Sequence, residues 1–236
     1  MSLIKYFLWL IFPKRCACCD RVIERYQNVC EECSTKLEKN KKICVKCGSD
    51  KRYCICKFRT YHFKGCVGPF DKNDETMQVI HHFKDDDNCD VAEFLAEEMM
   101  PTINEYYSDV KFDGVCAVPS HWTKKFYKGY NHSELLANKI AYSMNLNYYN
   151  NLYKKRKTQI QHKLKPLERY ENVKDAYGCK PLYGCKNILL IDDIKTTGAT
   201  LDECSRQIMF AGAENVYCAT AILNNSKSCN VQRKHI

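Results

Sequence analysis

The sequence predicts an α/β protein, a parallel sheet flanked by helices, preceded by a small module that a metal must fold. Three observations carry this. Asn187–Ile191 is an apolar run of strand length that ends in paired carboxylates, and a turn rich in hydroxyls and glycine leads from it into Leu201–Ala211, which has helical apolar spacing. A second unit of the same kind runs from Val115–Val118 through Pro119-Ser120-His121 to a helix from Ser133 carrying Leu135, Leu136 and Ile140. Nine of the seventeen cysteines crowd between Cys16 and Cys56.

At 236 residues and 45% hydrophobic content the chain can bury a real core, as one large domain or a domain with an appendage. The expected division is a short apolar helix over 1–12, a zinc-binding module over 13–60 and an α/β domain over 61–236. The apolar stretch Leu3–Phe12 is ten residues, half the roughly 20 that a membrane-spanning helix needs. It also lacks a small-residue cleavage site, which speaks against a secretory signal. A helix docked on the core is expected there, with a membrane-surface anchor as the alternative. The expected location is the cytoplasm, with the inner face of the membrane kept open as its neighbourhood.

The cysteines fall as Cys16-x-x-Cys19, Cys30-x-x-Cys33, Cys44-x-x-Cys47 and Cys54-x-Cys56, with Cys18 as an extra. A Cys-x-x-Cys turn presents two sulfurs to one metal, and Zn²⁺ takes four thiolates in a tetrahedron. Four pairs therefore make two structural zinc sites. Disulfides would need an oxidising compartment that nothing in the sequence indicates. Sequential sharing of the pairs and an interleaved cross-brace both fit the spacing.

Between the module and the first βα unit, Lys64–Phe70 has strand composition. A helix follows from Asp74 with Met77, Ile80 and Phe83 at spacing three, and another from Asp90 to about Met100, stopped by Pro101.

The turn after Ile191 has the composition of a phosphate cradle. Small residues let backbone N–H groups from Thr196, Thr197, Gly198, Ala199 and Thr200 converge on one anion, where the helix N-terminus favours negative charge. Asp192 and Asp193 suit vicinal ribose hydroxyls or Mg²⁺. A plain strand-to-helix turn with capping aspartates is the alternative. At the end of the other strand, Pro119, Ser120 and His121 stand where open α/β sheets place ligands, followed by Lys124 and Lys128.

Charge is unevenly spread. Residues 121–174 hold twelve Lys and Arg against three Glu, an excess equal to the whole formal charge of +9, so a polyanion is the natural partner. Within it Lys154, Lys155, Arg156 and Lys157 lie near Tyr148, Tyr149 and Tyr153. That interleaving of cations and stackable rings suits single-stranded nucleic acid, though a solvated charge run would look the same.

The string Ile191–Thr200 resembles the signature of type I phosphoribosyltransferases. That resemblance implies the type I phosphoribosyltransferase fold, with the acidic pair on the ribose hydroxyls of phosphoribosyl pyrophosphate (PRPP), Mg²⁺ bound with it, and the Thr-Thr-Gly-x-Thr turn on its 5′-phosphate. The whole chain further resembles the ComF competence family. The matching residues are Val118-Pro119-Ser120-His121, Lys128-Gly129-Tyr130-Asn131-His132, Arg156, Thr158, Gln161, Arg169 and Asn172. This second resemblance implies Lys84, with Pro119, Ser120, His121 and Lys128, at the pyrophosphate. It also implies single-stranded DNA as a partner, a role in DNA uptake during transformation, and a ComFA-like helicase nearby. Lys128, His132 and Lys195 depart from the family pattern. Where purine-specific phosphoribosyltransferases carry an aspartate base, this chain has Thr196, which argues against salvage of hypoxanthine or guanine and leaves another acceptor open. Two readings besides ligand-dependent DNA binding stay open: a transferase with another acceptor, and a zinc-finger scaffold.

Overall fold

The structure, a computed structural model, describes residues 13–40, 42–54, 56–85, 89–120, 131–159 and 164–224. Leu3–Phe12, His121, Lys124, Lys128 and Gln161 lie outside the described residues.

The elements are α1 (Glu31–Lys36), β1 (Gly65–Val67), β2 (Phe70–Asp71), α2 (Asp74–Asp85), α3 (Cys89–Tyr106), β3 (Gly114–Ala117), α4 (His132–Ser143), β4 (Leu152–Lys154), α5 (Pro166–Val173), β5 (Tyr177–Cys179), β6 (Asn187–Lys195), α6 (Ala199–Phe210) and β7 (Asn215–Leu223). The main sheet is parallel, in the order β1-β7-β6-β3, with β2 also paired to β7. β1 and β2 form one interrupted edge strand, because Cys66 opposes Cys218 and Phe70 opposes Ile222 in the same register. The break falls at Gly68-Pro69. A Cβ on Gly68 would stand 2.5 Å from the carbonyl oxygen of Thr220, so only glycine lets the edge pass there.

Buried apolar runs make the two central strands. Ile188–Ile191 and Val216–Leu223 are almost wholly enclosed, as expected of parallel strands covered on both faces. α3 and α4 pack on one another and reach β7, β3 and β6, while α6 packs on β6 and β7 and on the antiparallel pair β4-β5. Right-handed crossovers explain the layers. The chain leaves β3 through α4 toward the outer edge, where Tyr148 bridges Val115, but leaves β6 through α6 in the opposite direction to β7. Helices therefore depart to opposite faces between β3 and β6. That is a topological switch point, and the crevice outside the carboxyl ends of those strands is where such sheets bind ligands.

Two expectations change. α3 runs through Pro101 to Tyr106 instead of stopping before it. The proline costs one helical hydrogen bond, but Met99 and Ile103 continue the buried stripe of Val91 and Leu95, and that packing outweighs the break. β6 also continues past the apolar run, so Asp192 and Asp193 lie within the strand.

The cysteine module lies against the open edge. Asn40 donates its N–H to the carbonyl of Pro69 at 2.7 Å, Lys39 bridges Phe70, and Cys66 donates to the carbonyl of Val45 at 2.8 Å. The first cysteine cluster rests on α2, where His82 Nδ1 lies 3.2 Å from the Ala17 carbonyl and Cys18 Sγ 3.6 Å from that of Glu75.

Candidate phosphate and metal sites

The eight paired cysteines gather sequentially: Cys16, Cys19, Cys30 and Cys33 form one cluster, Cys44, Cys47, Cys54 and Cys56 the other. The interleaved cross-brace is set aside. Sulfur separations of 3.8 Å for Cys19–Cys30 and Cys47–Cys54, and 3.9 Å for Cys44–Cys56, match the edge of a tetrahedron with metal–sulfur bonds of about 2.3 Å. The thiolate sets fit structural Zn²⁺. Cys18 stays outside the first cluster, turned to α2. Gly48, at φ +68°, closes the second knuckle against the Cys66 carbonyl.

The second site assembles at the switch point. Hydrogen bonding of the Val118 N–H to the Ile191 carbonyl at 2.9 Å sets Pro119-Ser120 beside Asp192. Ser120 Oγ is buried and, among the described residues, has no hydrogen-bond partner. Asn131, just before α4, donates Nδ2–H to the Val118 carbonyl at 2.9 Å and ties that helix to the end of β3.

Asp192 Oδ1 accepts from Ser133 Oγ at 2.9 Å, in the first turn of α4, and from the Asp193 N–H at 3.0 Å. Burial first, and the Asp193 charge second, push the Asp192 carboxyl up to about 8, against the pull of those two donors. Asp193 pairs with Lys84 Nζ at 2.5 Å, so the lysine at the end of α2 reaches the acidic pair. Among the described residues Lys84 is the cation paired with these carboxylates, and Mg²⁺ would add positive charge there.

The turn follows directly. Gly198 caps α6 in the left-handed region at φ +82°, and among the described residues the N–H groups of Thr197 and Gly198 donate no hydrogen bond. Open amides beside a helix N-terminus are what an anion requires. Thr197 Oγ1 accepts weakly from the Ala199 N–H at 3.4 Å. From α5, Tyr170 donates its hydroxyl to the Thr197 carbonyl at 2.6 Å, and burial pushes that phenol up to about 12.

The basic segment divides. Lys154 Nζ donates to Thr158 Oγ1 at 2.8 Å and lies 5.3 Å from the ring of Tyr177, whose hydroxyl is bonded to Thr200. It therefore sits on the flank of the 196–200 turn. Arg156 caps α5, donating to the carbonyls of Asn172 at 3.2 Å and Lys174 at 2.7 Å. Lys155 and Lys157 are exposed.

Sequence reasoning missed Ser133 and Tyr170. The one available signal was Ser133 in the first turn of a helix that opens a βα unit.

Fold and sites together define a zinc-ribbon protein whose parallel sheet carries a turn shaped for an anion. Residues 7–58 match the model of the double zinc ribbon domain. Competence protein F of Haemophilus influenzae is 29% identical over 108 residues, covering 44% of this chain and 47% of that protein. The chain thus spans about half the length of that relative. DNA utilization protein YhgH of Salmonella typhimurium is 22% identical over 206 residues, 85% of this chain and 86% of that one. In these matches the chain is ComF-like. A solved adenine phosphoribosyltransferase of Saccharomyces cerevisiae overlaps 58% of this chain and 70% of its own at 13% identity, with a TM-score of 0.35.

Proposed function

We propose that the protein binds PRPP with Mg²⁺ at the switch-point crevice, binds single-stranded DNA along its basic segment, and serves DNA uptake or use. The observation that carries the reading is the meeting, at the ends of β3 and β6, of an acidic pair, an orphan buried hydroxyl at Ser120 and a turn with two open amides. Asp192 and Asp193 take the ribose hydroxyls and the metal. Thr196–Thr200 hold the 5′-phosphate. Lys84, Pro119 and Ser120, with His121 and Lys128, take the pyrophosphate. Lys155 and Lys157 face the DNA, with Lys154 and Arg156 beside them. Support for the DNA role comes from the excess of charge in 121–174 and from relatives named for competence and DNA utilization.

Calorimetric titration of PRPP with Mg²⁺ into the zinc-loaded protein, with and without single-stranded DNA, tests both halves. Saturable binding that disappears in Asp193→Asn is expected. DNA binding should weaken with salt, and Lys155→Ala with Lys157→Ala should lower the slope of log K against log[salt] by about 1 to 2. Absence of PRPP binding would refute the ligand. Pyrophosphate release with a small base would replace binding by transfer.

A further inference from the structure

Two cations lie between the second zinc ribbon and the 196–200 turn, and the ligand reading uses neither. Lys195 is 3% exposed. Its Nζ donates to Ser49 Oγ at 3.2 Å, just past the Cys44–Cys47 knuckle, and among the described residues it pairs with no carboxylate. A buried ammonium is costly without a counter-charge, and Zn²⁺ held by four thiolates carries a net charge of about −2. The side chain also runs beneath the turn, its Cε 3.6 Å from where a Cβ on Gly198 would stand.

Arg59 follows three residues after Cys56. Its Cζ lies 3.4 Å from the centroid of the Tyr170 ring, and its Nε is buried with no hydrogen-bond partner among the described residues. Tyr170 is the residue that bonds the Thr197 carbonyl. The same segment continues through Tyr61, stacked on Phe63 at 4.7 Å beside Gly198, to His62. There the backbone N–H and Nδ1 meet Asp202 Oδ1 at 2.7 and 3.0 Å, in the first turn of α6. The chain leaving the second ribbon is thus laid along the turn from end to end. The first ribbon makes its contacts with α2 and α3 instead, through His82 and through Asn28 on Glu97 at 2.7 Å.

We infer that the second ribbon is part of the phosphate turn: Lys195 and Arg59 are positioning residues that fix Thr196–Thr200, and metal at Cys44, Cys47, Cys54 and Cys56 holds their anchors in place. Its functional consequence rests on the PRPP reading, but the coupling itself does not. Coupling between two sites is reciprocal in free energy, so an anion bound at the turn tightens metal binding at the second ribbon.

Hydrogen exchange on the full-length protein without ligand tests this, read at the Asp202–Ser205 amides near the start of α6, with zinc content measured alongside. Cys54→Ser, which empties the second ribbon, and Arg59→Gln, which keeps both metals, should each speed exchange there by about tenfold. Cys19→Ser should leave those amides unchanged and speed exchange in α2. Equal protection at Asp202–Ser205 in wild type, Cys54→Ser and Arg59→Gln would overturn the inference. Should Cys54→Ser fail to fold by circular dichroism, Arg59→Gln and Ser49→Ala carry the test, and unchanged exchange in both overturns it. Because no ligand is present, a wild type that does not bind PRPP would sink the function and leave this result standing.

Discussion

Replacing Gly198 by alanine isolates the conformation of the 196–200 turn. The residue caps α6 at φ +82° and ψ 2°, a left-handed geometry that costs an L residue about 1–2 kcal/mol. Space is not the obstacle. An added Cβ would meet Lys195 Cε at 3.6 Å, Tyr61 Cε1 at 3.8 Å and Phe63 Cζ at 3.9 Å, all ordinary contacts. The whole effect is therefore conformational, and for a chain of this size it should lower the melting temperature by roughly 2 to 8 °C. Gly198→Asn should lose less, because asparagine tolerates the left-handed region. The sign is informative. If the residue adopted a right-handed or extended backbone in solution, alanine would stabilise by about 0.4–1 kcal/mol through its stiffer unfolded chain. Thermal unfolding of wild type, Gly198→Ala and Gly198→Asn under identical zinc saturation decides it. A melting temperature equal to or above wild type in the alanine variant would refute the left-handed cap.

Three further outcomes follow from the geometry. Asp192 has a folded-state pKa raised above its unfolded value near 4, so its ionisation works against folding. Stability should fall as pH rises from about 4 to about 8, and Asp192→Asn should flatten that decline in a pH series of melts while weakening Mg²⁺–PRPP binding. Gly68→Ala should cost about 1–3 kcal/mol in urea unfolding, since its Cβ would press on the Thr220 carbonyl and move the edge strand. Chelation should release two zinc ions per chain and unfold the cysteine module, seen as loss of exchange protection in residues 13–56 and faster exchange in α2 and at Asp202–Ser205, while the β3-β6-β7 sheet stays protected.

Local patterns were legible in the sequence, and contacts across the fold were not. The cysteine spacing pointed to two tetrathiolate sites but left their pairing open, because both arrangements share the same turns. The Asp-Asp and Thr-Thr-Gly-x-Thr string located the turn, since strand, cap and helix are determined within a few residues. A family resemblance implied a place for Lys84 at the pyrophosphate, but its pairing with Asp193 was not legible, because more than a hundred residues separate them and the packing of α2 brings them together. Arg59 and Lys195 had no local signature, for each takes its meaning from a partner on a distant segment. Pro101 misled for the opposite reason: a strong local signal yielded to the buried stripe on either side of it.

The interrupted edge strand has a consequence beyond the site. An open strand edge offers unpaired amides and carbonyls to any other extended chain, and natural sheets blunt such edges. Here the covering groups are Asn40, Lys39 and Val45, which belong to a segment folded by metal. A chain that has not yet acquired zinc, or has lost it, would therefore display Gly65–Asp71 as a template for intermolecular pairing. Metal supply would set how much of the newly made protein escapes aggregation, before any ligand is bound.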